Sequence, residues 1–123
     1  MRAALAVVGA SVAAAACGGG SSEPPKRPPT SRDVAAIAGA MSDIVLQCQS
    51  VQAGLTERVD ATEIGRDVDS LLHVYRRVRP DVKLTIGPLH TTPRHELELA
   101  RANLQGGGCS PRAAQRLAGA LRG

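Results

Sequence analysis

The sequence predicts a single all-α domain, a small bundle of three to four helices. Three observations lead there. Apolar residues recur at steps of three and four through two long runs, and capping signals stand at the head of four segments. The 123 residues include one Tyr, no Phe and no Trp, so only aliphatic side chains remain to fill a core. At ~100 to 200 residues per domain there is no room for a second lobe or a doubly wound nucleotide fold. Without aromatics the chain also lacks the stacking platforms of single-stranded nucleic-acid binders and the anchors common at tight interfaces.

Thr30 or Ser31 caps the first helix, whose stripe is Val34, Ile37, Met41, Ile44, Cys48, Val51 and Leu55. Gly39, set among Ala35, Ala36, Ala38 and Ala40, lets a neighbouring helix come close. The second helix opens at Asp60, where Asp60 and Glu63 stand in the capping-box relation and Val59 and Ile64 meet as a hydrophobic staple. Its stripe runs through Ile64, Val68, Leu71, Leu72, Tyr75 and Val78. It stops before Pro80, because proline disfavours helical geometry in the residue ahead of it. A link of only a few residues makes the two helices an antiparallel hairpin.

Val82, Leu84 and Ile86 then alternate with Lys83 and Thr85 until Gly87 and Pro88 break the pattern. With no partner strand in view, this segment reads as extended chain laid across the bundle, edge pairing in a dimer being the alternative. Thr92 and Pro93 are a cap and first helical position for a helix with Leu97, Ala100 and Leu104 inside. Gly106, Gly107 and Gly108 end it. Ser110 and Pro111 repeat the device for a short last helix whose inner residues are Ala114, Leu117, Ala118 and Leu121.

Ahead of this domain, residues 1–16 are Met1, Arg2 and a 14-residue apolar run, Ala3 to Ala16, interrupted only by Gly9 and Ser11. A membrane helix needs ~20 apolar residues, whereas a secretory signal wants a positive start, a core of ~7 to 15 and small residues at the cut. Ala15, Ala16 and Cys17, followed by Gly18 to Ser22, resemble a bacterial lipoprotein precursor, in which a lipobox ends at the Cys that becomes the acylated first residue. The resemblance implies a signal peptide over 1–16, palmitate-type acylation of Cys17, and an exported protein anchored in the cell membrane or envelope. Residues 17–30 are then the anchor and a Gly/Ser/Pro-rich tether, up to ~40 Å long at ~3.1 Å per residue, with Lys26 and Arg27 solvated or touching anionic headgroups. Ala14 stands where such boxes usually carry Leu. With Ala16 it also satisfies ordinary signal cleavage at the same bond, which would give a secreted soluble protein.

The three cysteines favour the anchored form. Once Cys17 carries lipid, Cys48 and Cys109 make an even pair for an oxidising compartment. A domain over 31–123 with about two dozen large aliphatic residues has a marginal core, and a Cys48–Cys109 disulfide would staple it. The predicted fold is thus a helical bundle with one intrachain disulfide.

Catalytic and metal signals are weak. Cys109 follows three glycines, but no His is tied to it as a base, and no Cys-x-x-Cys suggests redox exchange. His95 to Leu99 begins like the zinc-protease run yet has Leu99 where the second His belongs. His73, four residues after Asp69, suits a surface ion pair. Covalent haem lacks its Cys-x-x-Cys-His, and a non-covalent haem would be held by Met41 and a His. No catalytic residue, metal ligand or cofactor is assigned.

Charge alone carries a direction. From Cys17 to Asp69 there are five basic and eight acidic residues, whereas from Ser70 to Gly123 there are nine basic and three acidic, net +6. Arg76, Arg77 and Arg79 suit the end of the second helix through its dipole. The remainder, Lys83, Arg94, Arg101, Arg112, Arg116 and Arg122, are candidates for a basic face meeting a protein or an anionic envelope partner. The expected function is binding rather than chemistry, without nucleic acid. The alternative is a carrier of a small ligand, metal or haem in the inter-helix space.

Overall fold

The computed structural model describes residues 25–123. The signal peptide, the acylation of Cys17 and most of the tether lie outside the described residues. The described chain is an all-α bundle with four helices and a two-stranded hairpin.

The first helix, α1, spans Ser31–Gln52. Thr30 caps it in a full capping box: its hydroxyl accepts from the Asp33 N–H at 3.2 Å, and the Asp33 carboxylate accepts from the Thr30 N–H at 2.9 Å. Thr30→Ala is expected to cost about 1 kcal/mol, read as a lower urea midpoint with an unchanged slope. Ile37, Ile44 and Cys48 of the predicted stripe are buried, and Ala40 is buried with them. Leu55 is not on it and is 77% exposed. The helix closes three residues earlier in a Schellman motif, with Gly54 N–H donating to Val51 and Leu55 N–H to Ser50. Gly54 takes the left-handed conformation that the motif needs, φ +77°.

The second helix, α2, spans Ala61–Arg77 and is capped by Asp60, which accepts from the Glu63 N–H at 3.0 Å. The reciprocal half of the expected box is replaced by Gln47 of α1. Its Oε1 accepts from the Asp60 N–H at 2.7 Å, and its Nε2 donates to Glu63 at 2.8 Å. One amide therefore caps α2 and ties it to α1. Gln47 faces Glu63 while Asp43 faces Asp67, so the two helices run antiparallel.

At the other end of α2, Lys26 Nζ donates to the Arg76 carbonyl at 2.8 Å, and the Arg27 N–H donates to the Arg77 carbonyl at 3.0 Å. These bonds satisfy C-terminal carbonyls that lack partners within the helix. Lys26 and Arg27, inside the segment expected to be tether, are thus in contact with the bundle.

Strands β1, Leu84–Ile86, and β2, Leu89–Thr91, pair antiparallel with Ile86 opposite Leu89. This corrects the reading of residues 82–86 as extended chain without a partner. The partner lies two residues downstream, across Gly87 and Pro88. Gly87, at φ +59°, supplies the positive angle that a two-residue hairpin needs at its first central position.

Helix α3, Pro93–Gln105, is capped by the Thr92 hydroxyl, which accepts from the His95 N–H at 3.1 Å. A 3₁₀ turn over Gly106–Gly108 leads to α4, Pro111–Arg122. Ser110 does not cap α4 through its side chain as expected. At φ −158° and ψ 84° its backbone departs from the extended geometry of Thr30, Asp60 and Thr92, and its N–H instead closes α3 on the Leu104 carbonyl at 2.7 Å.

The core is aliphatic and shared by all four helices, with Ile37, Ile44, Val68, Leu71, Leu97, Leu104 and Leu117 almost wholly excluded from water. Leu84 joins it from β1. Cys48 and Cys109 form the predicted disulfide, with Cα atoms 5.5 Å apart. By length and composition α1 could cross a membrane, yet its inner face is part of this core.

Candidate functional site

Two faces of α1 have found partners and one has not. Its inner stripe meets the core, and its Asp43–Gln47 flank meets α2. From Val34 to Thr56 the only charged residue is Asp43. The remaining face is therefore uncharged, and with the hairpin and α3 it forms a groove of about 460 Å³. Met41, Val45 and Leu46 come from α1, Ile86 and Leu89 from the hairpin, and Leu99 from α3. Leu46, Leu89 and Leu99 are 60%, 61% and 41% exposed.

Glu96 is the one charged residue in this wall, and it is only 8% exposed. It sits in the first turn of α3, where the positive end of the helix dipole favours a carboxylate. Thr91, the last residue of β2, donates its hydroxyl to Glu96 Oε2 at 2.9 Å. Among the described residues the carboxyl has no other side-chain hydrogen bond and no ion pair. The two-residue hairpin turn and the Thr92 cap together fix its place, since they set where Thr91 ends and α3 begins.

This arrangement can hold an apolar molecule that carries one hydrogen-bond donor. Small-molecule sites are concave, ~300 to 1,000 Å³, mostly apolar and furnished with few polar groups. Four other hollows among the described residues are smaller, and each has polar or charged side chains as half or more of its lining, such as the one bounded by Lys26, Arg27 and Arg79. No protein-family model matches the chain, and no curated protein or solved structure matches it.

A second polar cluster lies between α1 and α2. Gln47 donates to Asp43 at 3.0 Å and to Glu63 at 2.8 Å, and Asp67 packs beside them. Asp67 Oδ2 is shut off from solvent with no hydrogen-bond partner. Burial first, then a hydrogen bond and like charge from Asp43 and the charge of Glu63, push its pKa up to about 7, against a smaller opposing pull from Arg66.

The six basic residues singled out from sequence are not all free. Arg94 pairs with Asp81 at 2.7 Å and Arg116 with Asp69 at 2.6 Å. The Tyr75 hydroxyl and then Asp81 raise the Arg94 pKa further. Arg101 donates to Gln105 at 3.1 Å, while Lys83, Arg112 and Arg122 are exposed without an ion pair among the described residues. Asp69 was expected to pair with His73. Instead it reaches across to α4, and His73 Nε2 lies 2.9 Å from Arg77. The guanidinium of Arg116 gives Asp69 a permanent charge where an imidazole would give a titrating one.

The disulfide and the buried stripe were predicted, but the groove, the Gln47 tie and the buried Asp67 oxygen were not. One sequence signal for the groove existed: a long helix whose single charge after Asp33 is Asp43 has no charged face opposite its buried stripe. Among the described residues no group of three or more His, Cys, Asp and Glu is arranged to hold a metal ion.

Proposed function

We propose that the protein is an exported binding module, held at a membrane by an acylated Cys17 and working by association rather than chemistry. The lipoprotein-like run ending in Ala15, Ala16 and Cys17 supports the anchor, and the intrachain disulfide suits an oxidising compartment. With Lys26 held on α2, eight residues separate it from the anchor, so the bundle would stand no more than about 30 Å from the acylated cysteine. The groove carries the binding half of the proposal. Three leucines more than 40% exposed around one buried carboxyl are costly for a domain that meets only water.

The groove also favours a second reading, in which the protein carries a small apolar ligand. A partner at the basic residues stays the alternative for the first, as a protein or anionic envelope component. Two measurements test these. Mass spectrometry of the mature amino terminus is expected to find acylated Cys17, with Cys17→Ser moving the chain into the soluble exported fraction. Folded protein is expected to bind Nile red, with fluorescence reduced several-fold by Leu46→Glu or Leu99→Glu and unchanged by Arg112→Glu. An unmodified Cys17 overturns the anchor. Dye uptake indifferent to the leucines overturns the groove as the working surface.

A further inference from the structure

Resting on the small-ligand reading, we propose that the groove between α1, the hairpin and α3 binds a free aliphatic amine, with its alkyl chain along the apolar wall and its nitrogen donating to Glu96. Glu96 lies deeper than the rim leucines, since it is 8% exposed where they are 41 to 61% exposed. Thr91 occupies Oε2, and Oε1 has no side-chain hydrogen bond among the described residues. A carboxyl drawn this far from water is costly unless a cation or donors meet it, and the dipole of α3 compensates only in part.

The described residues do not supply that cation. Among the described residues no Lys, Arg or His nitrogen lies within ion-pair distance of Glu96, and Arg94, two residues earlier, is held by Asp81. A second copy docking face to face would present Leu46, Leu89 and Leu99, which bring no positive group either. The missing partner therefore has to come with the ligand. An acid would oppose the carboxyl, and an alcohol would donate without neutralising it. A quaternary ammonium has no N–H to give. A primary amine both neutralises Glu96 and donates to Oε1, and its alkyl tail suits a wall that is otherwise uncharged.

The test titrates the exported full-length chain with octylamine, octanol, octanoate and octyltrimethylammonium, following the methyl NMR signals of Leu46 and Leu99. Octylamine is expected to bind at least tenfold more tightly than octanol, with octanoate weakest. Glu96→Gln, which keeps an acceptor for Thr91, is expected to bring octylamine and octanol within about twofold while leaving octanol unchanged. Should that variant fail to fold, Glu96→Asp withdraws the carboxyl by one methylene and is expected to shrink the amine preference severalfold. Three results overturn the assignment: equal binding of octylamine and octanol by the wild-type chain, an amine preference that survives Glu96→Gln, or self-association through Leu46 that octylamine does not compete with. If Nile red binds at the leucines while octylamine shows no preference, the ligand class falls and the binding module stands.

Discussion

Replacing Cys48 and Cys109 together by alanine is expected to remove about 4 kcal/mol of stability, the effect of opening a loop whose ends are 61 residues apart. Small domains have only ~5 to 15 kcal/mol in total, so the variant should be largely unfolded at mild urea concentrations where the oxidised wild type is folded. The position of the bridge makes the loss larger than that of a peripheral crosslink. Cys48 is buried near the C-terminal end of α1, and Cys109 leaves the 3₁₀ turn at the head of α4. Gly107, at φ +64°, lets the chain reverse there, with Gln52 of α1 close enough that a Cβ at this position would meet its side chain at 3.2 Å. The disulfide therefore ties the C-terminal end of α1 to the α3–α4 connection. Alanine is the right replacement because serine would bury a hydroxyl at position 48. Urea midpoints compared under non-reducing conditions check the prediction, and a difference below about 1 kcal/mol would refute it.

The helices were legible because their signals are local. Thr30, Asp60 and Thr92 cap as their side chains dictate, and the three-and-four spacing of Ile37, Ile44, Cys48, Val68 and Leu71 marks one buried stripe on each long helix. What was missed depends on residues far apart in the chain. Gln47 looks like any exposed helical glutamine until α2 brings Asp60 and Glu63 to it. The strand at Leu84–Ile86 seemed unpaired because His90 and Thr91 do not continue its apolar alternation, and register across Gly87 and Pro88 comes from the turn rather than from that pattern. Leu55 fits the helical period by spacing, but period cannot show that Gly54 closes the helix first. The groove shares this origin. Spacing identifies the stripe that is buried and says nothing about what covers the opposite side.

Asp67 gives the second large effect, and its sign follows from proton linkage. Its pKa is raised to about 7 in the folded chain against 3.8 for the free side chain, so between about pH 4 and 7 the native state holds a proton that the unfolded state has released. Stability from this group is fully present below the unfolded pKa and is lost as pH rises through the folded one. The bundle should thus be more stable at pH 5 than at pH 8, by about 1 to 2 kcal/mol once the screening of a part-exposed side chain is allowed for. For a domain this size that is a melting temperature about 5 to 10 °C higher. Asp43 and Asp67 share a hydrogen bond and repel when both are charged, so the observed titration belongs to the pair. Asp67→Asn should flatten the pH dependence and raise the melting temperature at pH 8, because its amide donates to Asp43 without a charge to repel. Asp43→Asn should flatten it likewise. The decisive quantity is the wild-type minus Asp67→Asn difference at each pH. If that difference stays constant from pH 5 to 8, the Asp67 carboxyl takes up no proton on folding and the cost of isolating Oδ2 lies elsewhere.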